Sequence, residues 1–258
     1  MNINRNTTIN QGGKLVNTNP QTKIKESKMK VTTPNLIRAA GLSAMAAGII
    51  FAVIQPIHPP DVIASVTTTA FITITSFKTV MCIFGLFGIA GLYARQVKET
   101  GWLGLGGYLL LTIFYAVQMS YAFAEPTILP LLVPVAPAFV ESVMGMSSGA
   151  GGSMNLGAFE VIYRSVSVLY LLGLLMFGIA IFRAHILSRW AALLLTLSGP
   201  IAAIMTSLLP HQFARFAAVP MGISLIWLGY SLLTERRTPA AEPIHARVSP
   251  LPVQTGAE

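Results

Sequence analysis

A lysine, a tyrosine and a glutamine interrupt stretches that are otherwise apolar: Lys78 in TAFITITSFKTVMCIFG, and Tyr115 and Gln118 in LLLTIFYAVQMSYAF. Burying such groups in an apolar stretch is costly, so they are the first place to look for a binding site. If the first stretch begins at Phe71, Lys78 lies ~10 Å below its boundary by helical rise, and Gln118 lies ~8 Å from the end of its own. At similar depth, a cation, an amide and a phenol can share one polar pocket. The alternative is that the four-carbon stem of Lys78 carries its ammonium outward to an interface. Glu160 and Arg164 stand four residues apart, acid before base, the spacing and order that put both on one helix face. A structural ion pair is preferred there to a catalytic couple, and neighbouring Tyr163 reads as an interfacial anchor.

Other chemistry finds less support. His58 and Asp61 flank Pro59-Pro60, and His211 and Arg215 mark a second turn. A His/Asp/His metal site there is not expected, because no two histidines share a helix at ligand spacing and no HExxH occurs. Paired in-membrane histidines for haem are likewise missing. The chain has no G-x-S-x-G elbow, no phosphate-binding loop and no pair of carboxylates within an apolar stretch, so no catalytic residue, metal or cofactor is assigned and an enzyme is not the expectation. Gly101, Gly104, Gly106 and Gly107 open a helix and follow no strand, so they are not a dinucleotide fingerprint. Ala40, Ala44 and Gly48, and Gly85, Gly88 and Gly91, are small residues that let helices approach closely. Gly199-Pro200 and Pro220 read as kinks, and Cys82 as a small packing residue.

The elements that carry these residues follow from composition. Of 258 residues, 53% are hydrophobic and 10% charged. The apolar residues are gathered into blocks of about 20, the length needed to cross ~30 Å of hydrocarbon at ~1.5 Å per residue. Six blocks stand out, at 36–57, 71–93, 102–123, 161–182, 190–209 and 213–233. Backbone groups in lipid must bond within their own segment, so each block is read as a helix and the fold as an all-α polytopic transmembrane bundle of six spans. The second block is the weakest, because Lys78 and a run of threonines make its first half polar; it either crosses with a charge facing protein or starts near Thr79 and is short.

Orientation follows from the basic residues, which are retained on the cytoplasmic side in short loops. Every Lys and Arg except Lys78, Arg164 and Arg215 falls on one side, which places both termini inside. The net charge of +8 thus reflects topology and attraction to anionic lipid. No aromatic residues interleave with the basic ones, so nucleic acid is not an expected partner. Residues 1–33 and 235–258 read as cytoplasmic tails, the first disordered, with translation expected to begin at Met29. The connection 124–158 reads as a long outer loop whose prolines could dip into the interface and whose GMSSGAGGSMN run is mobile.

The segments GLFGIAGLYARQVKETGWLGLGGYLLL and RAHILSRWAALLLTLSGP give the chain its general style. In these it resembles uncharacterised bacterial multi-pass membrane proteins of the domain-of-unknown-function type. That resemblance implies a multi-pass location in the bacterial plasma membrane and supplies no activity. The leading expectation is a non-enzymatic bundle that binds or moves a small solute through an outward-facing polar cavity lined by Lys78, Tyr115, Gln118, Glu160 and Arg164. Two alternatives stand beside it. One is a structural or regulatory subunit that meets a membrane-protein partner through its small-residue faces; the other is an outer-leaflet enzyme using Glu160, Arg164 and His58 or His211.

Overall fold

The computed structural model describes residues 8–9, 15–16 and 32–234, and the chain divides into two units, Met1–Thr32 and Thr33–Glu258. In the first unit, β1 (Thr8–Ile9) pairs antiparallel with β2 (Leu15–Val16), Thr8 opposite Val16. Apart from this strand pair and the start of the first helix, the positions expected to form the N-terminal tail, Met29 among them, lie outside the described residues, as does the C-terminal tail.

The described part of the second unit is helical. Its helices are α1 (Thr33–Ile57), α2 (Ile63–Val66), α3 (Thr69–Arg95), α4 (Val97–Thr127), α5 (Leu129–Leu132), α6 (Pro137–Ser148), α7 (Ala158–Ala184), α8 (Arg189–Leu208), α9 (His211–Ala214) and α10 (Val219–Thr234). Six segments among the described residues are long and apolar enough to cross a membrane: α1, α3, α4, α7, α8 and His211–Thr234.

Local chemistry sets the boundaries that differ from the sequence reading. The Thr68 hydroxyl accepts the Phe71 N–H at 3.3 Å and caps α3, which therefore begins before Phe71 and runs 27 residues. Thr75, buried on this helix, is satisfied within it, its hydroxyl donating to the Phe71 carbonyl at 2.7 Å. Lys78 thus sits inside a full-length helix rather than ahead of a short one. In α4, Gly101 (φ 55°, ψ −152°) takes a conformation open to glycine and separates the Val97–Thr100 turn from the long helix. The same helix continues through Pro126 to Thr127, so Glu125, expected in a loop, belongs to its last turn.

The connection at 124–158 is also more folded than expected. α6 covers the start of the glycine-serine run and ends at Gly149, whose φ of 78° gives a left-handed cap. Together with α2, α5 and the first turn of α3 it builds a small satellite core around Val66, Phe71, Leu129, Val140 and Met144. At the last segment, Pro220 has no N–H to offer the Phe216 carbonyl, and Val219 bonds that carbonyl instead. The result is a 3-10 turn at Arg215–Ala218 that separates α9 from α10.

Packing follows chain order. α1 packs against α3, α3 against α4, α4 against α7, α7 against α8 and α8 against α10, and α10 returns to α1, closing a ring. Small residues set the close approaches. A Cβ added at Gly88 would lie 2.7 Å from the Ala44 Cα, and one at Gly107 would lie 2.7 Å from the Phe177 Cα. Outward faces are apolar, with Leu42, Val53, Phe87, Leu109 and Ile204 all exposed. Trp102 and Trp190, at the starts of α4 and α8, are exposed too.

Candidate functional site

At the end of the bundle away from the Arg95/Lys98 and Arg183/Arg189 turns, the helices enclose a cavity of about 590 Å³. All six long segments contribute to its wall. α8 does so through a stripe of small residues, Gly199, Ala202, Ala203, Thr206 and Ser207, the three-to-four spacing that keeps side chains on one helix face. The deeper wall is apolar and aromatic, with Phe51, Met81, Phe114, Tyr170 and Leu171.

Charged groups gather towards the loop end. Lys78 Nζ donates to Glu125 Oε2 at 2.7 Å, and the two side chains are only 19% and 14% exposed. This contact joins the first half of α3 to the last turn of α4. A second group is brought in by the turn after α1 and the broken start of the last segment. His211 Nε2 donates to Asp61 Oδ2 at 2.7 Å, Arg215 Nη1 donates to the His58 carbonyl at 2.7 Å, and Arg215 Nη2 stands 3.9 Å from the Asp61 carboxylate. Arg215 follows His211 by four residues and its N–H bonds the His211 carbonyl, so this single turn presents both side chains on one face.

His58 has a defined role in the cluster. Its Nδ1 donates to the Pro59 carbonyl at 2.7 Å, which leaves Nε2 of the neutral ring as an acceptor. That Nε2 is buried and has no hydrogen-bond partner among the described residues, and the Arg215 Nε is a buried donor in the same situation. Burial and the Lys78 charge together push the His58 imidazole down to about 4, Asp61 opposing them. For Asp61, burial alone would raise the carboxyl, but the His211 hydrogen bond and the Lys78 charge outweigh it and hold the group below the usual carboxylate range.

No protein-family profile, curated protein or solved structure matches this chain. The site therefore has to be read from its own residues.

The structure brings Lys78 and Gln118 to the same cavity. Tyr115 turns elsewhere: it is fully buried between α3 and α4, where a Cβ at Gly85 would lie 2.5 Å from its Cζ. Glu160 and Arg164 pair with each other at 2.6 Å on an exposed face, outside the cavity lining. Tyr163, read as an anchor, lines the wall. Glu125 is not evident as a site residue from the sequence, where it falls in a connection; its signal is that a helix extended by one turn puts it seven residues after Gln118, on the same face. His58, Asp61, His211 and Arg215 sit on two turns that the sequence links only through the disfavoured His/Asp/His metal site, and the structure brings the two turns together. Among the described residues no three His, Cys, Asp or Glu side chains converge as metal ligands would. Asp61 is instead engaged by His211.

A pH dependence follows from His58. In the unfolded chain its imidazole takes a proton near pH 6.5, whereas in the folded protein it stays neutral down to about 4. Neutrality therefore favours the fold, and stability is lost as pH falls from about 6.5 towards 4. Asp61, also lowered, acts in the same direction at still lower pH. By pH 4.5 the His58 contribution is on the order of 2–3 kcal/mol. The thermal midpoint of detergent-solubilised protein, followed from pH 7.5 to 4.5, should fall less in His58→Asn than in wild type. Parallel curves would show that His58 does not carry the acid response.

Proposed function

We propose that this chain is a six-span integral protein of the bacterial plasma membrane, with both termini in the cytoplasm, and that it binds and carries a small solute through the cavity from the outer side. The reading of the membrane is supported by the inverted surface: large apolar side chains cover the outside of the bundle, where a water-soluble protein would expose charge. Trp102 and Trp190 stand at one end of the bundle, as interfacial aromatics do. Basic residues concentrate at that same end, which supports a cytoplasmic location for it and an outward-facing cavity.

The observation that carries the solute reading is the cavity itself. Its volume falls within the range of small-molecule sites, and its wall pairs apolar surface with a few convergent polar groups. The subunit alternative loses its sequence argument, because the small-residue faces that would meet a partner are spent inside the bundle. Gly88 packs on Ala44, Gly91 on Ala40, and Gly48 on Gly222. The enzyme alternative needs Glu160 and Arg164 to act with His58 or His211, and only the histidines line the cavity, the ion pair lying outside it.

Ala203→Trp tests the reading. It fills the cavity from the small-residue stripe of α8 without breaking a charged pair. In proteoliposomes presented with a panel of small metabolites from outside, uptake should be at least tenfold lower in this variant than in wild type, while Glu160→Ala/Arg164→Ala should behave as wild type. Equal uptake by wild type and Ala203→Trp across the panel would remove the cavity from transport. In the same vesicles, a maleimide that cannot cross the bilayer should label Ser153→Cys and Lys98→Cys from opposite sides. Cys82 is buried and adds little background.

A further inference from the structure

The charged groups of the cavity are balanced and already paired. Two cations, Lys78 and Arg215, and two carboxylates, Glu125 and Asp61, face the same space, with the imidazoles of His58 and His211 beside them. A solute of single charge entering such a site meets an asymmetric cost. A cation that binds Glu125 displaces Lys78, and an anion that binds Lys78 displaces Glu125; either leaves a largely buried charge without its partner. A molecule carrying both charges avoids that cost, because its ammonium can take Glu125 while its carboxylate takes Lys78.

Arg215, Asp61, His58 and His211 stand beside the Lys78–Glu125 pair on the same wall, so the loop end of the cavity is polar and of mixed charge. Beyond the charged end, Met81 lies one turn deeper on α3 than Lys78, and Phe114 one turn deeper on α4 than Gln118; both line the wall. That floor suits an apolar side chain.

Resting on the solute-binding reading above, we infer that the cavity selects a zwitterion of the amino-acid class with an apolar side chain, its ammonium held by Glu125 and its carboxylate by Lys78. Selection comes from charge balance: monovalent analogues of the same shape are rejected because they break the Lys78–Glu125 pair.

Three molecules of one shape test this: L-phenylalanine, phenethylamine without the carboxylate, and 3-phenylpropionate without the ammonium. Binding to the purified full-length protein is measured by titration calorimetry at pH 7.5. L-Phenylalanine should bind at least tenfold tighter than either analogue, and Lys78→Met/Glu125→Met, which removes both charges together, should abolish that preference. Thermal unfolding of the double variant confirms that it is folded. Binding of either analogue as tightly as phenylalanine would overturn the zwitterion assignment while leaving a solute cavity in place, as would a preference unchanged in the double variant. No binding of phenylalanine also overturns it; the wider reading is then judged by the Ala203→Trp uptake comparison, which does not use these probes.

Discussion

Lys78→Met is expected to lower the thermal midpoint of the detergent-solubilised protein by roughly 10 °C, and the second substitution Glu125→Met is expected to return most of that loss. The reason is an asymmetry in burial. Both side chains of the pair are largely withdrawn from solvent, and the ammonium and carboxylate meet at 2.7 Å. Removing one partner leaves the other desolvated and uncompensated, a penalty of about 3–5 kcal/mol for buried pairs. Some residual exposure puts this pair near the lower end, about 3 kcal/mol, and a chain of this size shifts by roughly 2–4 °C per kcal/mol. Replacing both partners removes the stranded charge, and apolar side chains of similar length fill the space. Glu125→Met alone should destabilise comparably. If either single variant melts with wild type, or if the double variant is worse than both singles, the pair is not a buried structural contact between α3 and α4.

The largest loss is expected at the crossing of α1 and α10. A Cβ at Gly222 would lie 2.7 Å from the Gly48 carbonyl oxygen, and a Cβ at Gly48 would collide with the Gly222 carbonyl and lie 2.9 Å from the Ile226 N. The obstacles are backbone atoms, which cannot rotate aside, so an added side chain must push two helices apart along their length. Overpacking of this kind costs about 3 kcal/mol or more. Gly48→Leu should therefore fail to give a monodisperse peak in size-exclusion chromatography, and Gly48→Ala should give a peak with a lowered thermal midpoint. Val53→Leu, on the exposed face of the same helix, is the matching control and should behave as wild type. A monodisperse, wild-type-stable Gly48→Leu would contradict the close packing of α1 on α10.

The local chain dictated the elements. Blocks of apolar residues about 20 long, separated by basic turns, give six long helices, because a backbone surrounded by apolar side chains satisfies its own hydrogen bonds best as a helix. Small residues at three- and four-residue spacing marked the faces of close approach, and Gly88 on Ala44 and Gly91 on Ala40 are such approaches. The i,i+4 pair of Glu160 and Arg164 was legible for the same reason: helix geometry alone brings the two together.

The composition of the cavity was decided only in three dimensions. Lys78 and Glu125 are 47 residues apart, and Asp61 and His211 are 150 apart, so no periodicity links them. Their meeting depends on α4 continuing as a helix as far as Glu125, and on the closure of the ring of helices, which brings the start of the last segment to the turn after α1. Tyr115 illustrates the converse. Its depth matched that of Lys78, yet rotation about the α4 axis turned its phenol onto Gly85. Sequence carries depth through the rise per residue, but which way a side chain faces depends on the neighbours it packs against, and those are set by the bundle as a whole.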